Sequence, residues 1–152
     1  MKLAESLILR ADCQKRIEQL KQRLVRSARV QEGETPPENP QALIAELEAT
    51  VNELTDLIKR INKTNSLTNL QDTITISDAL AQRDTLLLKR NVYNAVVEEA
   101  SVRQDRYSSS EIKLFSTVNV AELQTQVDQL SRDCRELDTK IQQANWNTEL
   151  MD

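Results

Sequence analysis

The sequence contains no histidine and a single glycine. Without histidine, the chain cannot supply an imidazole general base, a Ser-His pair or a histidine metal ligand. The Glu-x-x-His pairs of ferritin-like di-iron bundles are excluded for the same reason. Gly33 alone can serve few of the positive-φ positions that tight hairpins and phosphate-binding loops require, and neither a GxGxxG turn nor a P-loop is present. Aromatic residues make up 3% of the chain, too few for a mixed core, so Leu, Ile, Val and Ala must fill it. Cys13 and Cys134 form neither a CxxC pair nor a zinc spacing. No apolar run approaches the roughly 20 residues of a membrane span. After Met1-Lys2 the apolar residues are broken by Glu5, Arg10 and Asp12, which is not a signal-peptide pattern, and a cytoplasmic protein is expected.

What the chain does contain is long amphipathic helix. At 152 residues it fits one domain, and its 29% of charged residues, mixed with Ala, Leu and Gln, suit helical faces in water. The net charge of −4 gives no overall attraction for nucleic acid or anionic membrane. The balance shifts along the chain. Residues 1–31 hold eight Lys and Arg against three acids, whereas residues 32–58 hold seven acids and no base. Two antiparallel neighbours that complement each other explain this asymmetry, and a basic binding stripe on the first helix is the alternative.

Spacing predicts four helices, over about residues 3–31, 40–66, 78–103 and 120–146. In the first, Cys13, Ile17, Leu20, Leu24 and Ala28 follow one helical face, with Arg10 in or beside it as a stem lying on the core. GETPPENP, residues 33–40, ends it: Gly33 takes the left-handed exit, the prolines stop the helix, and Asn39-Pro40 opens the next. In the second helix Ile44, Leu47, Val51, Leu54, Ile58, Ile61 and Asn65 alternate in a 3-4 rhythm, widened by Leu43 and Leu57. Asn119 and Glu122 form a capping pattern for the fourth, where Val120, Leu123, Val127, Leu130, Cys134, Leu137, Ile141 and Ala144 keep a strict 3-4 spacing. The expected fold is all-α, an antiparallel bundle of long helices with two irregular loops that hold short extended segments. If the first and fourth helices lie antiparallel with level ends, Cys13 falls near Cys134, as core filling rather than as a disulfide.

The third helix breaks the one-stripe pattern. Leu80, Leu86, Leu87, Leu88, Val92, Tyr93, Ala95, Val96, Val97 and Ala100 point in several directions, which implies burial on most sides and a second subunit. Ser77 is its expected cap, and Thr73–Ile76 before it reads as extended. Ile112, Leu114 and Val118 form an apolar run expected to be buried, with Thr73–Ile76 as a candidate strand partner.

Two segments are more polar than solubility requires. One holds Asn62 and Asn65, with Arg83 and Asp84 on the helix beyond. The other is SVRQDRYSSSEIKLFS, residues 101–116, with Arg103, Gln104, Arg106, Tyr107 and Glu111. Paired arginines suit a carboxylate or phosphate, so a small anionic ligand is the expected occupant of any site built there. Asp78 and Asp84 lie two turns apart, too far to share one ion, and no metal, cofactor or catalytic residue is expected.

ASVRQDRYSSSEIK (residues 100–113) resembles a signature of the septicolysin-like bacterial proteins, small helical proteins of unassigned function. LAESLILRADCQKRIEQLKQRL near the start, RINKTN, SDALAQRD and LDTKIQQANW resemble the same family in order along nearly the whole chain. The resemblance implies an all-helical homo-oligomer. QDTITIS, residues 71–77, departs from it by lacking the glycine expected in that turn. The name implies a cytolysin, but no membrane-length segment supports that activity. The expected function is therefore non-enzymatic, through homo-oligomeric assembly and partner binding. The alternatives are an oligomeric enzyme or anion binder with its polar site at a subunit junction and, disfavoured, a membrane-active cytolysin.

Overall fold

The computed structural model describes residues 1–102 and 112–152. They form four α-helices and a small hairpin: α1 (Leu3–Ser27), α2 (Pro40–Leu67), β1 (Asn69–Gln71), β2 (Ile74–Thr75), α3 (Ile76–Ala100) and α4 (Val120–Asn147). The all-α class and the four long helices agree with the sequence reading. The chain divides into two compact units, Met1–Asn69 with Gln143–Asp152, and Leu70–Gln142.

In the first unit α1 and α2 pack against each other. They run antiparallel, for Arg23 meets Glu38 and Cys13 lies beside Glu53. The buried positions of α1 include Leu3, Ser6, Cys13, Leu20 and Ser27, with Ile17, Leu24 and Arg10 half-buried between them. Leu20 is wholly buried, a contribution of roughly 1.5–3 kcal/mol for a side chain of its size. This helix stops at Ser27 rather than near Gln31, because Ala28, Arg29 and Val30 are exposed and no packing holds another turn. Gly33 does take a left-handed backbone, φ 86°, but within the loop and not as the exit of α1, whose C-cap is Ala28 in a right-handed conformation. Asn39 caps α2, its Oδ1 accepting from Gln41 N–H at 2.9 Å, with Pro40 in the first turn.

The buried face of α2 keeps Leu43, Leu47, Leu54, Leu57 and Ile61 from the expected one but drops Ile44, Val51 and Ile58. Leu43, Thr50, Leu57 and Thr64, spaced by sevens, face inward with Ile61, while Ile44, Val51 and Ile58 are exposed. Two buried threonines obscure that heptad in the sequence. Each donates its hydroxyl to the carbonyl four residues earlier, Thr50 to Glu46 and Thr64 to Arg60, both at 2.8 Å, so neither carries an unpaired polar group into the core. Residues 148–150 run antiparallel to residues 1–3, with Leu3 N–H on Thr148 O at 2.9 Å and Leu150 N–H on Met1 O at 2.8 Å. Arg60 and Lys63 of α2 then bond the main chain of Met151 and Asp152.

In the second unit β1 and β2 form a local two-stranded hairpin. Its turn needs no glycine, because Asp72 adopts φ 47°, a left-handed conformation that Asp tolerates. The extended segment near Thr73–Ile76 thus pairs with its immediate neighbour and not with residues 112–118. Those residues form no strand, and Ile112, Leu114 and Val118 are 73%, 75% and 37% exposed, contrary to the expected burial. The cap of α3 is Thr75 rather than Ser77: Thr75 Oγ1 accepts from Asp78 N–H at 3.1 Å while Asp78 accepts from Thr75 N–H at 3.0 Å. The reciprocal pair starts the helix two residues earlier than the spacing predicts, and it ends at Ala100 rather than Arg103. Asn119 caps α4 by accepting from Glu122 N–H at 3.1 Å. The 3-4 face of α4 is covered as expected, with Val127, Leu130 and Ile141 buried and Leu123, Cys134, Leu137 and Ala144 half-buried. Both cysteines are free thiols.

Candidate functional site

Of the polar residues singled out in the sequence, Arg103, Gln104, Arg106, Tyr107 and Glu111 lie outside the described residues. Asn62 is exposed and Asn65 half-buried near the end of α2 in the first unit. Arg83 and Asp84 belong to the second unit, where they bond each other. Arg83 is half-buried; its Nη1 donates to Asp138 of α4 at 2.9 Å, and its Nε and Nη2 reach Asp84 at 3.4 Å. Cys134 Sγ approaches the Arg83 carbonyl at 3.9 Å, and about two helical turns on Arg90 Nε donates to Ser131 Oγ at 3.1 Å. The pairs 83–138 and 90–131 set α3 antiparallel to α4. Burial works against the Arg83 charge, and the hydrogen bonds it donates to Asp138 and Asp84 more than reverse it, raising its pKa. A guanidinium saturated by two carboxylates is a strut between helices, not an open anion receptor.

An open basic concavity lies elsewhere, where α1 gives way to the loop before α2. Val25, Arg26, Arg29, Val30, Pro37 and one carboxylate, Glu34, are among the residues lining a volume of about 660 Å³, a size at which small-ligand pockets occur. Arg26 and Arg29, three residues apart, are both exposed. The neighbouring Arg23 is already engaged, its Nε on Glu38 Oε2 at 2.9 Å, and that bond holds the Glu38 carboxyl below its ordinary pKa. Arg23–Glu38 is the expected complement between the basic first helix and the acidic second; the Arg26 charge adds to it at a distance, without a hydrogen bond to Glu38. The Arg-x-x-Arg spacing ahead of GETPP was the available sequence signal for this feature.

The third surface is on α3. Ile76, Ala79 and Val97 are buried, with Leu86, Arg90 and Tyr93 half-buried on the same side. Yet Leu87, Leu88, Val92 and Val96 are 46%, 65%, 60% and 38% exposed. Val92 stands five residues from Val97, roughly 140° around the axis at 3.6 residues per turn. The helix therefore carries a second apolar stripe on its outer side.

Other perturbed groups are local. Burial, and next the Glu53 carboxylate, push the Cys13 thiol up, which favours its inert protonated form. Lys2, with the amino terminus, lowers the Glu149 carboxyl. Among the described residues no three Cys, Asp or Glu side chains are placed to hold a metal ion, and no helix is long and apolar enough to cross a membrane.

These features define a helical protein with an internal arginine strut and an uncovered apolar helix face. The chain belongs to a family of unknown function, DUF6847, which matches residues 10–150. It is similar to a crystal structure of a functionally unknown conserved protein from Corynebacterium diphtheriae, with 44% sequence identity, a TM-score of 0.95 and 99% of each chain covered. No curated protein matches.

Proposed function

We propose that this is a non-enzymatic protein that works in the cytoplasm through homo-oligomeric assembly and partner binding. The observation that carries this reading is the outer face of α3, where Leu88 and Val92 are 65% and 60% exposed in the middle of a 25-residue helix. Contiguous large apolar side chains in such a place mark an interaction surface. The resemblance to septicolysin-like proteins, with its expectation of a homo-oligomer, belongs to the same proposal. Sedimentation velocity from about 1 to 100 µM tests it: concentration-dependent assembly is expected, and a folded monomer throughout overturns it.

A second reading, an anionic-ligand binder, is favoured by the Arg26 and Arg29 concavity. Two guanidiniums beside Val25, Val30 and Pro37 suit an organic carboxylate or phosphate that carries an apolar body.

A further inference from the structure

The exposed side of α3 has an order that its composition conceals. Ala81, Thr85, Leu88, Val92 and Ala95 recur at intervals of 4-3-4-3, the spacing of a coiled-coil seam. All five are exposed. The seam is interrupted by no charge between residues 81 and 95, about 21 Å of helix at 1.5 Å per residue, and it ends at Glu99, which holds the next seam position. Thr85 belongs in such a seam because its hydroxyl is satisfied within the helix, donating to Ala81 O and Gln82 O at 3.1 Å. The charges beside the seam are placed as in a parallel pair. With Thr85 and Val92 at a positions and Leu88 and Ala95 at d positions, Asp84 falls at g and Lys89 at e. In a parallel two-stranded arrangement the g residue of one helix meets the e residue five positions on in the other, so Asp84 meets Lys89 twice across the two-fold axis. An antiparallel pair would instead bring together like flanks, Asp84 with Glu98 and Lys89 with Lys89. A β-branched residue at a with Leu at d is also the choice that favours a parallel dimer.

We infer that the outer face of α3 is the seam of a parallel homodimer, in which Leu88 and Val92 pack against their counterparts in a second copy and Asp84 pairs with Lys89 across the seam. This rests on the reading of self-assembly and adds to it the surface, the orientation and the residues that set them. Asp84 and Lys89 can both reach a partner: exposed Asp84 shares its carboxylate with Arg83 through long contacts at 3.4 Å, and exposed Lys89 rests over the Tyr93 ring at 5.5 Å from its centroid. The seam is short, so a dissociation constant on the order of 10 µM is expected, at the weak end for specific association.

Sedimentation velocity on the full chain and four variants tests this, with circular dichroism and thermal melts to establish that each variant folds. Every position changed is exposed, and the Arg83 bond to Asp138 across the helices does not depend on Asp84, so the fold should survive. Val92→Glu is expected to leave a monomer at concentrations where the unaltered chain is dimeric. Asp84→Lys and Lys89→Glu each replace two attractive pairs by two repulsive ones and should weaken the dimer about five-fold or more. Mixed in equal amounts, those two variants can form a heterodimer in which both pairs are again attractive, and the mixture should assemble to within about two-fold of the unaltered chain. The double variant Asp84→Lys/Lys89→Glu should do so alone. A folded monomer at all concentrations overturns this inference together with the assembly reading. Assembly that Val92→Glu leaves unchanged overturns the inference but not that reading. Loss of assembly in Val92→Glu without recovery in the mixture or the double variant overturns the parallel pairing and points to another partner or orientation.

Discussion

Thr64 accepts the main-chain N–H of Met151 at 3.0 Å while it donates to Arg60 O at 2.8 Å. One wholly buried hydroxyl thus closes a helical turn and holds the tail against α2. Thr64→Val keeps the shape and removes the acceptor. It is expected to destabilise the protein by about 1–3 kcal/mol, the cost of an unsatisfied group, while Thr64→Ser keeps most of the stability. Thermal or urea unfolding of the two variants checks this. Ser27 gives the opposite case: its buried Oγ has no hydrogen-bond partner, so Ser27→Ala should be neutral or stabilising.

Arg83 is expected to behave as a structural strut. Arg83→Ala and Asp138→Asn should each lower stability, by about 1 kcal/mol for a partly exposed pair, and the double change should cost little more than either alone. A double-mutant cycle by urea unfolding measures the coupling. Additive losses would mean that the two groups do not support each other.

Acid should loosen the end of the α1–α2 pair where Glu38 meets Arg23. The Glu38 pKa is lowered by the Arg23 hydrogen bond and charge, so the folded state holds this proton more weakly than the unfolded chain does. Its contribution is present above the ordinary carboxylate range and is lost as the pH falls through the lowered value. Glu38→Gln should therefore melt lower at neutral pH and lose less than the unaltered protein on going toward pH 3. Salt should narrow the same gap, because the pair is exposed. Melting curves at several pH values, with and without added sodium chloride, check both.

The basic concavity predicts binding of an organic anion. Octanoate or phenyl phosphate at millimolar concentration should raise the melting temperature, and Arg26→Ala/Arg29→Ala should remove that rise without lowering the melting temperature of the free protein by more than a few degrees, since both side chains are exposed. An equal rise in the double variant would exclude the site.

Cys13 and Cys134 offer a comparison of burial. Cys13 is buried with its pKa raised, and Cys134 is half-buried. In the folded protein a thiol reagent should modify Cys134 first and Cys13 only on unfolding. Mass spectrometry of partly labelled protein reads the order, and faster labelling of Cys13 would contradict it.

The helices were legible in the sequence because their causes are local: 3-4 spacing of Leu, Ile and Val, a proline-bounded loop, and asparagine caps at Asn39 and Asn119. The outer apolar stripe of α3 was legible too, as a helix with more apolar directions than one neighbour can cover. Tertiary structure decided the rest. Which heptad of α2 faces inward could not be read from hydrophobicity, since Thr50 and Thr64 enter the core by returning their hydroxyls to their own backbone while Ile44, Val51 and Ile58 stay outside. Whether Arg83 was a ligand group or a strut depended on Asp138, 55 residues away. The exit of α1 at Ser27 depended on where its packing ended, and the glycine-free turn depended on Asp72 accepting a left-handed backbone. Spacing along one chain records which side chains share a helix face, but which face is covered, and by what, is settled only when another helix arrives to cover it.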